Sequence, residues 1–196
     1  FGTRLRLADN KAPGTKRTHC HVFRSSSDGL AWQHDSTFPH AQIGDDVIAK
    51  VHITPNMPAG NWLAAVRTWN RQATTADSPL LISTSDDEGQ SWTCPMAIRP
   101  SSTNPAGGLL ANGVAYRMYG RPGQFITFCG DGEGRRWGND VCLVPVDSDT
   151  CANSSDVVLG ADRFMIAYTD YRHVDAAGRV RKAVLVREVV VEPPTT

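Results

Sequence analysis

Three segments of the sequence repeat one pattern, in which an acidic turn and a glycine are followed, after two spacer residues, by a tryptophan. The segments are 24–32, 85–92 and 130–137, ending at Trp32, Trp92 and Trp137. In such a turn, Asp and Ser side chains bond backbone amides, glycine accepts a positive φ, and tryptophan covers the hairpin base. Common acidic turns aligned by accident are the alternative, but the middle copy is a full S-x-D-x-G-x-x-W. The repeat predicts a series of similar β-hairpins.

The remainder of the chain has the pattern of an all-β protein. Short apolar and β-branched runs recur between clusters of Gly, Pro, Asn and Asp, and helical periodicity is hard to find. Segments 61–69 and 163–169 are almost continuously apolar, which predicts strands covered on both faces by stacked sheets. The predicted strands are 18–24, 47–53, 62–69, 79–84, 90–95, 114–119, 124–129, 140–146, 155–159, 163–169 and 179–191.

Composition excludes several classes of partner. The 196 residues include 20 Lys and Arg against 20 Asp and Glu, so the formal net charge is zero and no basic patch for nucleic acid is expected. No apolar run reaches the roughly 20 residues of a membrane span, which predicts a soluble protein. Five cysteines form no C-x-x-C pair. A local Cys142–Cys151 bridge is possible, but buried free thiols are the preferred interpretation.

The repeat leads to a family resemblance. The segment 85–92 resembles the Asp-box of the sialidase superfamily, whose members are six-bladed β-propellers with this motif between the third and fourth strands of several blades. Three further stretches resemble elements of that family: 45–68, where acids precede two strands and an Arg, 104–123, where an Asn-Gly turn lies between strands ahead of Gly-Arg, and 154–170, the first hairpin of the last blade. The resemblance covers about 45–185.

The resemblance implies a β-propeller of about three to three and a half four-stranded blades. Residues 1–40 would form a leading hairpin or partial blade, 41–98 and 99–148 one blade each, and 149–196 the last blade. A six-bladed ring needs nearly twice this length, and its open strand edges would pair readily. We therefore expect the C-terminal half of a longer propeller, completed by an N-terminal half, a second chain or a homo-oligomer. An independent four-bladed propeller is the alternative.

The same resemblance suggests site residues. Sialidases hold a substrate carboxylate with three arginines, since guanidinium groups match carboxylates bidentately. Arg67 and Arg121 match the second and third arginines. Asp45 and Asp46 match the region of the family's Glu and are candidate catalytic residues, as general base or orienting carboxylate. Ordinary ion pairs and turn roles are the alternatives for all four.

Where the family carries its nucleophilic Tyr, this chain has Ala152 and Asn153, and we assign Asn153 to substrate binding. Tyr168 and Tyr171 would substitute only with a shifted alignment, and Tyr168 is expected in the core. Trp69 is a candidate sugar-stacking residue, with Trp62 the alternative for this role. His40, just before the acidic pair, is a further candidate. No cofactor and no metal site are expected, His19-x-His21 being a weak signal.

These residues predict a sialidase-like carbohydrate-active enzyme, an exo-glycosidase acting on a terminal and acidic sugar of a glycan. Loss of the Tyr opens two other reactions, an inverting hydrolysis by two carboxylates or a polysaccharide lyase acting on uronic acids. A non-catalytic propeller that binds glycan or protein is the alternative from a different class. Secretion or a periplasmic location is expected over a cytoplasmic one.

Overall fold

The computed structural model describes residues 2–3, 21–38, 47–69 and 78–192, and these ranges contain β-strands and no helix. The all-β prediction is therefore confirmed for the described part of the chain. The strands are β1 (Gly2–Thr3), β2 (His21–Ser25), β3 (Trp32–Thr37), β4 (Val47–Thr54), β5 (Trp62–Trp69), β6 (Leu80–Ser85), β7 (Met96–Arg99), β8 (Gly107–Leu109), β9 (Ala115–Gly120), β10 (Gln124–Cys129), β11 (Gly138–Val144), β12 (Ser154–Val158), β13 (Arg163–Val174) and β14 (Val180–Val190).

The strands form four antiparallel sheets in chain order. Sheet A has the order β1-β2-β3, sheet B β4-β5-β6-β7, sheet C β8-β9-β10-β11 and sheet D β12-β13-β14. Neighbours in each sheet are consecutive in sequence, so every connection within a sheet is a hairpin. A four-stranded up-and-down sheet of this kind is the blade of a propeller, and sheets B and C each have four strands.

One predicted strand lies in a different place. Residues 92–95 are not in a strand, and β7 begins only at Met96. The reason is Thr93, whose hydroxyl accepts the Thr84 amide at 2.9 Å, while its carbonyl accepts the Ser83 hydroxyl at 2.6 Å. These side-chain bonds replace part of the ladder, which resumes at the pair Ile82 and Met96. The short strands β1, β3 and β8 were not predicted from the sequence.

The apolar strand β5 is buried on both faces, as its sequence predicts. Leu63 and Ala65 point to one face and Ala64 and Val66 to the other, and all four are fully buried. Side chains on a strand alternate, so a strand between two stacked sheets needs apolar residues at every position. The segment 163–169 differs, because only Phe164 and its alternate neighbours Ile166 and Tyr168 are buried.

Three apolar clusters separate the four sheets. The first lies between sheets A and B, the second between B and C, and the third between C and D. The sheets therefore stack face to face in chain order, each core being shared by two neighbours. The central residues of these clusters are Val22, Val66 and Leu81 in the first, Leu63, Leu80 and Tyr119 in the second, and Met118, Ile126 and Phe164 in the third.

The three repeated turns share one hydrogen bond. In each, the indole nitrogen of the tryptophan donates to the carbonyl oxygen of the glycine three residues before it, at 2.9, 3.0 and 2.8 Å. The acid takes a different place in each turn, yet Asp28, Asp87 and Asp131 all accept backbone amides. The repeat is thus one local structure with three positions for its carboxylate.

Candidate functional site

The strand register separates the repeated turns from the predicted site residues. The turns 86–92 and 130–137 follow the last residues of β6 and β10. Arg67 pairs with Leu80, the first residue of β6, and Arg121 lies just before β10. In sheet D, the carbonyl oxygen of Ala161, in the turn 159–162, accepts the backbone amide of Asn112, which lies at the same end of sheet C as the repeated turn 130–137. Asn153 directly precedes β12 and therefore lies at the opposite end of sheet D. We call the ends of the sheets that carry Arg67, Arg121 and Asn153 the site end.

One carboxamide joins three sheets at the site end. The side-chain oxygen of Asn104 accepts a hydrogen bond from the ammonium of Lys50 in β4. Its nitrogen donates to the carbonyl oxygen of Ser154, the first residue of β12, at 2.8 Å. Asn104 itself precedes β8. The first strands of sheets B, C and D are therefore connected through one side chain.

Two cations lie on adjacent strands beside this connection. Lys50 is paired across the β4–β5 ladder with Arg67. Burial lowers the pKa of Lys50, and the positive charge of Arg67 lowers it further. Like charges on neighbouring strands repel each other, and an anion placed between them relieves the repulsion.

Arg121 brings a third cation to the same end. Its guanidinium donates to the carbonyl oxygen of Cys151 at 2.6 Å, which ties the β9–β10 turn to the loop before β12. The neighbouring Gly120 allows this close approach, since a Cβ there would lie 3.2 Å from the Cβ of Ala152. Arg121 therefore contacts the backbone two residues before Asn153.

Cys151 is a site residue that the sequence did not reveal. Its sulfur lies 3.0 Å from the Thr169 hydroxyl and also hydrogen-bonds Tyr171. Burial raises its pKa, but the bonds to Thr169 and Tyr171 and the charge of Arg121 outweigh burial, so the pKa of the thiol is lowered. None of the described cysteines forms a disulfide. Cys129 is a buried thiol, as expected, whereas Cys94 and Cys142 are exposed, contrary to the expectation.

The predicted residues have different outcomes. Asp45, Asp46 and His40 lie outside the described residues, as does the side chain of Trp69 at the end of β5. Ala152 is buried with φ of 52°, and Asn153 is exposed ahead of β12. The position of the family's Tyr therefore presents a carboxamide and no hydroxyl.

Asp156 is the carboxylate that β12 places two residues beyond Ser154. It accepts a hydrogen bond of 2.6 Å from the Tyr116 hydroxyl. Tyr116 stacks on Phe164 with ring centroids 3.9 Å apart. Burial, and then the bond and charge of Asp156, raise the pKa of Tyr116, so the phenol stays protonated as a donor. Tyr116 pairs with Phe128, next to the end of β10 from which the turn 130–137 begins, so this pair lies toward the repeated-turn end of sheet C and away from the site end.

A buried arginine lies between sheets B and C. Arg117 is fully buried, and its guanidinium donates to the Thr54 hydroxyl at 2.5 Å and to the Tyr116 carbonyl at 2.8 Å. Burial lowers its pKa to about 10. Burial, followed by the charge of Arg117, lowers the pKa of His52 to about 4, so this imidazole is neutral at physiological pH.

Two features are absent from the described residues. In the ranges given above, no group of three or more His, Cys, Asp and Glu side chains is arranged to hold a metal ion. No helix in those ranges is long and apolar enough to cross a membrane.

Comparison with known proteins identifies the fold. No protein-family model and no curated protein matches the chain. Among solved structures, a Hadza microbial sialidase superposes with a TM-score of 0.59 at 17% identity, covering 87% of this chain and 38% of the sialidase. An α-L-arabinanase of Penicillium chrysogenum gives a TM-score of 0.57 at 14% identity, covering 96% of this chain and 61% of the arabinanase chain.

A GH93 α-L-arabinofuranosidase of Fusarium graminearum is similar as well, with a TM-score of 0.56 at 13% identity, covering 94% of this chain and 60% of the enzyme. This chain thus spans less than two thirds of the length of each of these structures. At such identities the likeness concerns the fold alone, and it agrees with the four stacked sheets. The chain has a β-propeller fold of the sialidase type, and its described sheets make up part of one such propeller.

Proposed function

We propose that the chain provides part of the substrate site of a carbohydrate-active propeller, glycosidase-like in its chemistry, that binds an acidic sugar. The observation that carries this proposal is the placement of Lys50, Arg67 and Arg121 at one end of the stacked sheets. They come from two strands of sheet B and from the β9–β10 turn of sheet C.

The choice of an acidic sugar rests on this charge. A carboxylate accepts bidentate bonds from guanidinium groups, and Arg67 and Arg121 both carry such a group. The similar structures include both a sialidase and arabinanases crystallised with arabinobiose, a neutral sugar. The three repeated turns resemble Asp-boxes, and this favours an acidic sugar, as for a sialidase, over a neutral sugar such as arabinobiose.

The fold alone does not select one reaction. Without a hydroxyl at Ala152 or Asn153, double displacement through a Tyr is disfavoured. A single displacement needs a general acid and a general base, for which the predicted Asp45 and Asp46 are the candidates. A lyase acting on a uronic acid needs a base and a cation facing the carboxylate, and the three cations suit this as well. Binding without catalysis needs the cations alone.

We also propose that another part of the same propeller covers the outer face of sheet D. This face carries valines at alternate positions that no described residue covers, with Val184, Val186 and Val190 exposed by 70, 57 and 55%. Glu188 lies between Val186 and Val190 on this face, so the valines form an apolar patch interrupted by a charge, and exposed apolar patches mark interfaces. An N-terminal half, a second chain or a second copy would suit it, and light scattering with intact-mass analysis distinguishes these occupants.

The decisive experiment is a panel of ligands. The protein is incubated with aryl glycosides of sialic acid, glucuronic acid and α-L-arabinofuranose, and with a polyuronide, while binding is followed by calorimetry and turnover by the released phenol or the unsaturated product. We expect binding of acidic ligands at least tenfold tighter than of the arabinofuranoside. Equal affinity for the neutral sugar would overturn the acidic specificity, and tight binding without turnover would favour the non-catalytic alternative.

A further inference from the structure

Two imidazoles and a hydroxyl converge on one face of sheet A. Nδ1 of His21 lies 3.1 Å from Nε2 of His34. The hydroxyl oxygen of Thr37 is 3.0 Å from the first of these nitrogens and 3.3 Å from the second. Three donor atoms therefore form a nearly equilateral triangle at an exposed position, on strands far from the site end of sheets C and D in sequence.

A β-bulge brings these side chains together. Val22 pairs with Ser36 and Phe23 with His34, which leaves Asp35 as an extra residue on β3. Without it, His34 and Thr37, three residues apart, would point to opposite faces of the strand, whereas the extra residue puts them on one face. Asp35 is held by Arg24, whose guanidinium donates two bonds to one carboxylate oxygen at 3.0 and 3.3 Å.

The positions of the rings are supported by packing. The edge of Phe23 meets the His34 ring, with centroids 5.5 Å apart and planes at 75°. The two imidazoles are 5.1 Å apart at 61°. Each imidazole ring thus contacts a neighbouring ring that restricts its rotation. This packing holds Nδ1 of His21 and Nε2 of His34 close to each other.

The triangle has the size of a metal's coordination face. Imidazole nitrogens bind Zn²⁺ at about 2.0 to 2.1 Å, so two ligands of one tetrahedral or octahedral ion are separated by about 2.9 to 3.4 Å. The three measured separations fall within this interval. A hydrogen-bonded cluster would have the same distances, and metal binding is what distinguishes the two.

We infer that His21, His34 and Thr37 form a surface site for a divalent transition-metal ion that prefers imidazole ligands, such as Zn²⁺, Ni²⁺ or Cu²⁺. Imidazole nitrogens do not suit Mg²⁺ or Ca²⁺, which take oxygen ligands. Because the cluster is exposed, water fills the remaining coordination positions. The site does not depend on the sugar-binding proposal.

The test is zinc titration of the tag-free protein by calorimetry, with the metal alone as ligand. The variants are His21→Gln, His34→Gln and Thr37→Val, and His173→Gln is the matched control, which removes a histidine from β13. We expect one zinc ion bound in this cluster by the wild type and by the control, at least tenfold weaker binding in both β2–β3 histidine variants, and a smaller loss for Thr37→Val.

A second readout keeps the result independent of folding. Circular dichroism and thermal melting are recorded for each variant without metal, and zinc should raise the melting temperature of the wild type more than that of His34→Gln. Binding that is unchanged in both histidine variants, or absent from the wild type at millimolar zinc, would overturn the inference. Equal binding of Mg²⁺ would refute the proposed preference for imidazole-binding metals.

Discussion

The side-chain nitrogen of Asn104 lies 2.8 Å from the carbonyl oxygen of Ser154, which places a residue preceding sheet C in direct contact with the first strand of sheet D. The oxygen of the same carboxamide accepts the Lys50 ammonium from sheet B. A short polar side chain thus fixes the relative positions of three sheets where the cations of the site lie. At the opposite end, Asn112 donates similarly to the carbonyl oxygen of Val191, at 3.0 Å.

Replacing Asn104 with Ala should affect stability and binding together. Loss of its bonds leaves the Ser154 carbonyl and Lys50 without this partner, at a cost of about 1 kcal/mol in the free energy of unfolding. Because Lys50 then moves freely, we expect affinity for an acidic sugar to fall about tenfold. Asn112→Ala is the control, with a similar loss in urea denaturation and unchanged affinity. Equal affinities in both variants would refute a positioning role for Asn104.

Arginine variants test the charge at the site end. Arg67→Ala and Arg121→Ala should each reduce affinity for an acidic sugar by on the order of 2 kcal/mol, or about 30-fold, because a charge-assisted bond to the carboxylate is lost. Arg163→Ala, at the repeated-turn end of sheet D, should leave calorimetric affinity unchanged. A loss of the same size for a neutral arabinofuranoside would show that the two arginines support the fold and not the carboxylate.

The sequence predicts the strands of this fold better than its site, and β5 and Asn104 show why. The run of apolar residues in β5 indicates that the strand is buried on both faces. This property can be predicted locally, because each residue's hydrophobicity is visible in the sequence. The role of Asn104 depends on Lys50 and Ser154, which are 54 and 50 residues away. No local pattern encodes such contacts. Similarly, the resemblance suggested Arg121, but only the fold shows that its guanidinium meets Cys151.

The reactivity of the Cys151 thiol should depend on its neighbours. Its lowered pKa increases the thiolate fraction at neutral pH, so alkylation by iodoacetamide should reach half of its maximal rate below the ordinary pH of about 9. Thr169→Val removes one hydrogen bond to the sulfur and should move this midpoint upward. Peptide mass spectrometry follows each site separately, with the exposed Cys94 and Cys142 as internal references. An unchanged midpoint in Thr169→Val would contradict this account.

Asp131 should make stability depend on acid. Burial alone raises its pKa, but bonds from Cys129 and from the amides of residues 133, 134 and 136 lower it to about 2, against an ordinary 3.8. Its stabilising contribution is therefore complete above about pH 4 and is lost as pH falls through 2. The carboxylate is 7% exposed, so solvent screens it little.

We expect Asp131→Ala to lower the free energy of unfolding by about 2 kcal/mol at pH 6, because several charge-assisted bonds are lost and turn amides are left without their acceptor. Urea denaturation at pH 6 and pH 2 measures the difference, which should shrink at the lower pH as the wild-type carboxylate becomes protonated. Glu133→Gln removes a charge from the same turn and keeps the bonds to Asp131, so its effect should be small and nearly independent of pH. A loss for Asp131→Ala that is equal at both pH values would mean that the turn needs the side chain's shape and not its charge.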